Sequence, residues 1–275
     1  MEFCARTGMG IKMKIGMPAL IELNTIEDNV ALCEKLGFDF IELNMNFPYN
    51  MISKVDPMFL RNISKKNNIE FTMHMPDEAD IGSFFDDVRN GYLNLFIETI
   101  RWANESNIKL LNMHIIKGPY MTLPDKKIYI NEKYSDEYMH NFLTSIKKIS
   151  EEATKNKVMI CIENSNNFGL DYVQKLLEKS LLLDNIFLTW DVGHDYISNY
   201  SDKKVLFKYK DKIRHMHLHD ASNNRDHLVL NEGELDIKGL LCFANAHNIS
   251  TLIEVKSRQA LIKSKEQITK NLVER

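Results

Sequence analysis

Residues able to ligate a divalent cation recur in this chain at the ends of short β-forming runs. His74, His114 and Glu163 each close such a run, and Asp191 closes another within Trp190-Asp191-Val192-Gly193-His194-Asp195. The segments His215-Met216-His217-Leu218-His219-Asp220 and Ile253-Glu254-Val255-Lys256 carry the rest. Of nine histidines, only His140 and His247 fall in segments with helical periodicity. A divalent ion takes neutral imidazole and ionised carboxylate donors that converge from separate segments, with one position left for substrate or water. Glu163, Asp191, His217 and Glu254 stand on consecutive runs, and burying four such groups together without a cation would be costly. They are therefore the predicted metal ligands. Manganese, magnesium, cobalt and zinc all remain open, because carboxylates favour the harder ions and histidines favour zinc.

Other residues carry two readings each. A lone inward histidine such as His74 or His114 is more often a satisfied core residue than a ligand. Glu42, in Ile41-Glu42-Leu43-Asn44, is either a substrate contact or a structural salt bridge low in the fold. Lys256 lies two residues beyond Glu254 and so on the same face of a strand, where it either stays solvated or holds a substrate phosphate or carboxylate. His219 and Asp220 either join the site or organise the loop that follows. With period 2, His215, His217 and His219 share one face of their strand, predicted to point inward, and Arg214, Met216 and Leu218 take the other. Met45, Met73, Met113 and Met159 read as core.

The elements that must position these groups are repeated strand–helix units. Strands are predicted at Lys14–Met17, Phe38–Asn44, Ile69–His74, Leu110–His114, Val158–Glu163, Ile186–Asp191, Ile213–His219 and Thr251–Val255. The first helix opens at Thr25-Ile26-Glu27-Asp28, a capping-box-like start, and stops at Gly37. Further helices are predicted over Asp56–Lys66, Asp87–Asn107, Ser135–Asn156, Leu170–Lys179, Asp202–Lys210, Asp236–His247 and Arg258–Glu274. Eight such units close most naturally into an α/β fold of the (β/α)8 barrel type, a TIM barrel, with a doubly wound open sheet as the alternative. No Gly-rich phosphate fingerprint follows the first strand, which weakens a dinucleotide-binding reading. In a barrel, the strand ends that carry the acids and histidines form the mouth.

The 275 residues, 44% hydrophobic and 27% charged, suit one large globular domain and exclude disorder, a fibre or a coiled coil. No linker or shift in composition marks a boundary. Residues 13–275 are predicted to form the barrel, with residues 1–12 as either a disordered N-terminal arm or a mis-assigned start. A net charge of −3 offers no basic field for a phosphate backbone, so nucleic acid is a disfavoured partner. The four cysteines lack the spacing of a disulfide framework or zinc finger, which together with the missing signal and membrane segments predicts a cytoplasmic protein. A homodimer is the default oligomer.

Taken together, Ile162-Glu163-Asn164, Asp191-Val192-Gly193-His194, the His215–Asp220 segment followed by Asp226-His227 and Asn231-Glu232-Gly233, and Ile253-Glu254-Val255 resemble the xylose isomerase-like TIM-barrel superfamily. That superfamily includes sugar epimerases, inosose dehydratases and abasic-site nucleases of the endonuclease IV type. The resemblance implies a divalent metal held by Glu163, Asp191, His217 and Glu254. It also implies catalytic roles for Glu163 and Glu254 in moving a proton beside a polarised carbonyl of a small sugar or sugar phosphate, with His194 touching substrate oxygens. The nuclease branch implies a different use of the same positions, in which His74, His114, His194 and His227 add ligands for further zinc ions. Where that branch has an aspartate two residues before the ligand matching His227, this chain has Arg225, with Asp226 adjacent. The segment Met75–Asp80 carries three acids where a DNA-binding member needs basic or aromatic residues. The stretch through Tyr120, Met121, Leu123 and Pro124 to Tyr129 is predicted to be a lid over a small ligand.

Overall fold

A computed structural model describes residues 13–273, and the side chains of residues 13–269. The predicted N-terminal arm lies outside the described residues. The first half of the chain runs β1 (Ile15–Pro18), α1 (Ile26–Leu36), β2 (Phe40–Asn44), α2 (Pro57–Asn67), β3 (Glu70–His74), α3 (Asp86–Ser106), β4 (Leu110–His114), β5 (Tyr120–Thr122), β6 (Lys127–Tyr129), α4 (Ile130–Lys133) and α5 (Ser135–Asn156). The second continues β7 (Met159–Glu163), α6 (Asp171–Ser180), β8 (Ile186–Asp191), α7 (Val192–Ile197), α8 (Lys203–Lys208), β9 (Ile213–Leu218), β10 (Asp220–Ser222), β11 (Arg225–Leu228), α9 (Ile237–His247), β12 (Ser250–Ile253) and α10 (Arg258–Val273). Strands β1, β2, β3, β4, β7, β8, β9 and β12 pair in parallel and close on themselves through the β1–β12 ladder, giving the (β/α)8 barrel rather than an open sheet. No described helix is long and apolar enough to cross a membrane.

Local sequence sets most element ends. Thr25 caps α1 by accepting from the Asp28 amide, and Gly37 ends it at φ 64°, in the left-handed region that glycine enters without a Cβ clash. Asn68, Asn107 and Asn248 end α2, α3 and α9 in the same region, which asparagine tolerates better than most residues. Side-chain alternation along the strands then divides the core. Ile41, Leu43, Phe71, Met73, Leu111, Met113, Ile160, Ile162, Leu188, Met216 and Leu218 are buried in the apolar cluster between sheet and helices. The alternate positions, among them Glu42, Asn112, Glu163, Thr189, His215 and His217, point to the barrel axis as a buried polar column.

Three differences from the sequence-based elements bear on the site. The sixth strand ends at Asp191 as predicted, but an unpredicted helix follows at once: the Asp191 carboxylate accepts from the His194 amide at 2.6 Å and caps α7, so His194 rides on a helix. The seventh strand ends at Leu218, which frees His219 from the ladder, and the eighth ends at Ile253, one residue before Glu254. The predicted lid is an antiparallel hairpin, β5 with β6, whose Tyr120, Met121 and Leu123 are exposed.

Candidate metal centre

The ends of β7, β8, β9 and β12 bring Glu163, Asp191, His217 and Glu254 together at the mouth. Each can offer one ligating atom, and the four atoms lie within 4.8 Å of one another, a span that one ion with bonds of about 2.0–2.6 Å can bridge. The imidazole of His217 occupies the middle. Its Nδ1 is 3.1 Å from Glu254 Oε2, 3.2 Å from Glu163 Oε1 and 3.9 Å from Asp191 Oδ2. Both His217 nitrogens and Glu254 Oε2 are buried without an aligned hydrogen bond. Three carboxylate oxygens crowding one unsatisfied ring nitrogen are a poor protein core and a good donor set, so the residues fit a divalent cation.

Electrostatics without an ion point the same way. Burial pushes the His217 imidazole down, but Glu163, Glu254 and Glu42 around it more than offset this and hold it well above its ordinary 6.5. Burial likewise pushes Glu163 and Glu254 up, yet the positive neighbours together outweigh it, His217 with His114 at Glu163 and His217 with Lys256 and His227 at Glu254, and both carboxyls sit well below the usual range. The cluster therefore requires positive charge at its centre, supplied by an imidazole proton when no metal is bound.

The remaining oxygens are held from behind. Glu163 Oε2 accepts from the Asn112 amide, whose own oxygen accepts from Thr189 Oγ1 at 2.6 Å. His74 Nε2 and His114 Nε2 approach the same Oε2 at 3.3 and 3.4 Å. His74 Nδ1 is committed to the Met75 carbonyl at 2.6 Å, and burial, overcome by Glu163, leaves this ring raised to about 9. Asn164 ties the ends of β7 and β8 together, donating to the Asp191 carbonyl at 2.9 Å and accepting from the Asp191 amide at 2.8 Å.

His219 and Asp220, left open by the sequence, separate in role. His219 Nδ1 accepts from the His227 amide at 2.8 Å, so its Nε2–H is the donor to Asp191, 3.1 Å from Oδ1. The same Nε2 is 3.2 Å from Asp191 Oδ2, the oxygen that also faces the centre, 3.9 Å from His217 Nδ1. Asp220 organises the following loop, accepting from the amides of Ala221, Gly233 and Leu235 at 2.8–3.0 Å. A Cβ on Gly233 would lie 2.4 Å from Asp220 Oδ1, which explains the glycine.

A second arm crosses the mouth. Asp226 Oδ1 is 2.9 Å from His227 Nδ1, and its Oδ2 is 3.9 Å from His194 Nε2. Arg225 is turned to solvent, so Asp226 and not Arg225 faces the site. His227 stacks on His219 with centroids 4.2 Å apart, and its Nε2 lies 3.5 Å from Glu254 Oε1. Its φ of 54° is unusual for a histidine, whereas Asn223 and Asn224 in the preceding turn adopt positive φ as a tight hairpin requires.

Next to the centre opens a cavity of about 750 Å3, lined among others by Leu20, Phe47, Tyr92, Asp77, Glu78 and Lys256. Lys256 Nζ is 2.6 Å from Glu254 Oε1. No residue of the β5–β6 hairpin lines this cavity. Glu42 touches its floor, but the side chain lies beneath His217, 3.1 Å from Nε2, and 3.3 Å from His215 Nε2. That geometry fits the salt-bridge reading, while Glu42 also lines the cavity. The sequence had no signal for Asn112 and Thr189, whose importance comes only from what lies across the barrel.

The xylose isomerase-like TIM barrel family model matches residues 30–273. The chain belongs to this family. An uncharacterized protein of Methanocaldococcus jannaschii is 20% identical over 254 residues, 90% of this chain and 93% of that one. Inosose dehydratase of Serratia proteamaculans is 23% identical over 222 residues, 78% of this chain and 68% of the relative. Among solved structures, a D-tagatose 3-epimerase-like protein superposes with a TM-score of 0.77 at 22% identity, covering 94% of this chain and 97% of that one. The IolI protein with a bound zinc atom superposes with a TM-score of 0.73 at 15% identity, covering 95% and 99%. At these identities the structural likeness is one of fold.

Proposed function

We propose that this protein is a divalent-metal-dependent isomerase or epimerase of a small sugar. The observation that carries the reading is the convergence of Glu163, Asp191, His217 and Glu254 within 4.8 Å, with Glu163 and Glu254 lining a cavity. Bound there, a divalent ion supplies Lewis-acid polarisation of a sugar carbonyl, which acidifies the neighbouring C–H. Glu163 and Glu254 reach the centre from β7 and β12, on the two sides of β8 and β9. Each has one oxygen toward His217 and the other held: Glu163 by Asn112, Glu254 by Lys256. One ionised carboxylate would take the proton from carbon, and the other, having taken up a proton from solvent or a substrate hydroxyl, would return it to the opposite face, inverting that carbon; return to the neighbouring carbon, with a proton passing between the two substrate oxygens, would give the isomer. His194 and His227, at the rim, suit hydrogen bonding to sugar hydroxyls. A neutral sugar fits better than a sugar phosphate, because Asp77 and Glu78 line the cavity and Lys256 is already paired with Glu254. A cytoplasmic location and a homodimer go with this reading.

A second reading, a zinc-dependent endonuclease IV-like abasic-site nuclease or related phosphoesterase, is favoured by one observation. His74, His114 and Asp77 form a further cluster with metal-ligand spacing against Glu163 Oε2, and His219, His227 and Glu254 form another. Metal content per chain separates the two. About one ion, with solvent-hydrogen exchange into ketoses that is lost in Glu163→Gln and Glu254→Gln, supports the isomerase. Two or three zinc ions with cleavage of an abasic duplex would replace it, and exchange persisting in either variant would remove the assigned roles.

A further inference from the structure

Beneath the ligand atoms lies a second polar layer, formed by Glu42 on β2, Thr72 on β3 and His215 on β9. Glu42 is 3% exposed and His215 fully buried, yet neither belongs to the four-residue donor set. Glu42 Oε1 is 3.1 Å from His217 Nε2, the ring nitrogen opposite the one that faces Glu163, Asp191 and Glu254. Its other oxygen accepts from Thr72 Oγ1 at 2.9 Å and lies 3.3 Å from His215 Nε2. His215 is itself oriented: with its Nδ1 accepting from the Ser250 hydroxyl at 2.7 Å, its proton sits on Nε2, the nitrogen that faces Glu42. Glu42 therefore has both oxygens in close contact with groups from two other strands, Thr72 on β3 and His215 and His217 on β9, the two ring nitrogens lying near it without an aligned hydrogen bond.

An imidazole can ligate through one nitrogen only if its remaining proton sits on the other, and the partner of that second nitrogen fixes which is which. On the Nδ1 side of His217 stand three carboxylates, and on the Nε2 side the single carboxylate of Glu42. We infer that Glu42 is a positioning residue: it retains the Nε2 proton of His217, leaving the Nδ1 lone pair for the cation, while Thr72 and His215 hold Glu42 in place. This rests on the metal centre proposed above. Glu42→Gln keeps the shape and removes the charge, and its amide can present a donor to Nε2, which would favour the proton on Nδ1, where it blocks ligation.

The test is the affinity of the metal-free full chain for Co2+ and Zn2+, measured by chelator competition, together with the visible spectrum of the Co2+ form. Glu42→Gln is expected to weaken binding about 10–100-fold, the range seen when such outer partners of metal-ligating histidines are removed. In a His217→Ala background the same substitution is expected to change affinity less than twofold, because it acts through that ring; a merely structural role would give the full loss in both backgrounds. Wild-type affinity in Glu42→Gln, or equal losses in both backgrounds, overturns the inference. So does loss of one bound ion per chain, which would make Glu42 a ligand. Should Glu42→Gln not fold, Thr72→Val carries the test with a several-fold weakening expected, and unchanged affinity overturning it. Failure of the wild-type chain to bind either ion would instead overturn the metal centre itself.

Discussion

Gly193, within Asp191-Val192-Gly193-His194, lies where the first turn of α7 passes over His219. A Cβ built there meets His219 Cε1 at 1.9 Å and Nδ1 at 2.4 Å, against an ordinary contact of 3.4 Å or more, so in Gly193→Ala the ring must move by about 1.5 Å. It has nowhere to go: it is fully buried, stacks on His227, accepts from the His227 amide and donates to Asp191. Overpacking of this kind costs about 1–3 kcal/mol, and loss of a hydrogen bond to a buried carboxylate about 1.5–3 kcal/mol. Relaxation makes these less than additive, so the metal-free variant is expected to lose about 2–4 kcal/mol in urea unfolding. Because Asp191 is displaced with the ring, affinity for Co2+ is expected to fall at least tenfold. Stability within about 0.5 kcal/mol of wild type and unchanged affinity would refute the close packing of α7 on His219 and the support of Asp191 derived from it.

Two further outcomes follow from charge. His217 is raised when folded and metal-free, so its proton contributes stability fully below about 6.5, and that contribution is lost as pH rises through the folded value. The metal competes for the same nitrogen, so affinity by calorimetry should rise with pH across the neutral range; a flat profile would sink the assignment of Nδ1 as ligand atom. Asp195, buried and beside Asp202, is raised from 3.8 to about 6, while its Oδ2 accepts from Trp190 Nε1 at 3.3 Å. That shift weighs at most about 3 kcal/mol against the ionised form, absent below pH 3.8 and complete above about 6. Asp195→Asn, keeping the acceptor, should therefore gain about 1–2 kcal/mol at pH 8 and nothing near pH 4, and equal unfolding free energies at pH 8 would refute it.

The strand–helix alternation, the caps at Thr25 and Gly37 and the placing of Glu163, Asp191, His217 and Glu254 at strand ends were all legible in the sequence. Those features follow from local periods: two residues per strand repeat decide which side chains face the axis, and caps depend on neighbours in the chain. The helix at Val192 was legible in principle, since an aspartate two residues before glycine can cap, but the preceding β-rich run masked it. What only tertiary structure decided is which atom faces which. Asn112 meets Glu163 across 51 residues, Glu42 meets His217 from the second strand, and Asp226 replaces its neighbour Arg225 at the mouth through the path of the β10–β11 hairpin. Barrel closure sets these pairings, because the groups share no local repeat. The same closure makes His217 the meeting point of four carboxylates, which turns a row of acidic strand ends into the cluster proposed to hold a metal.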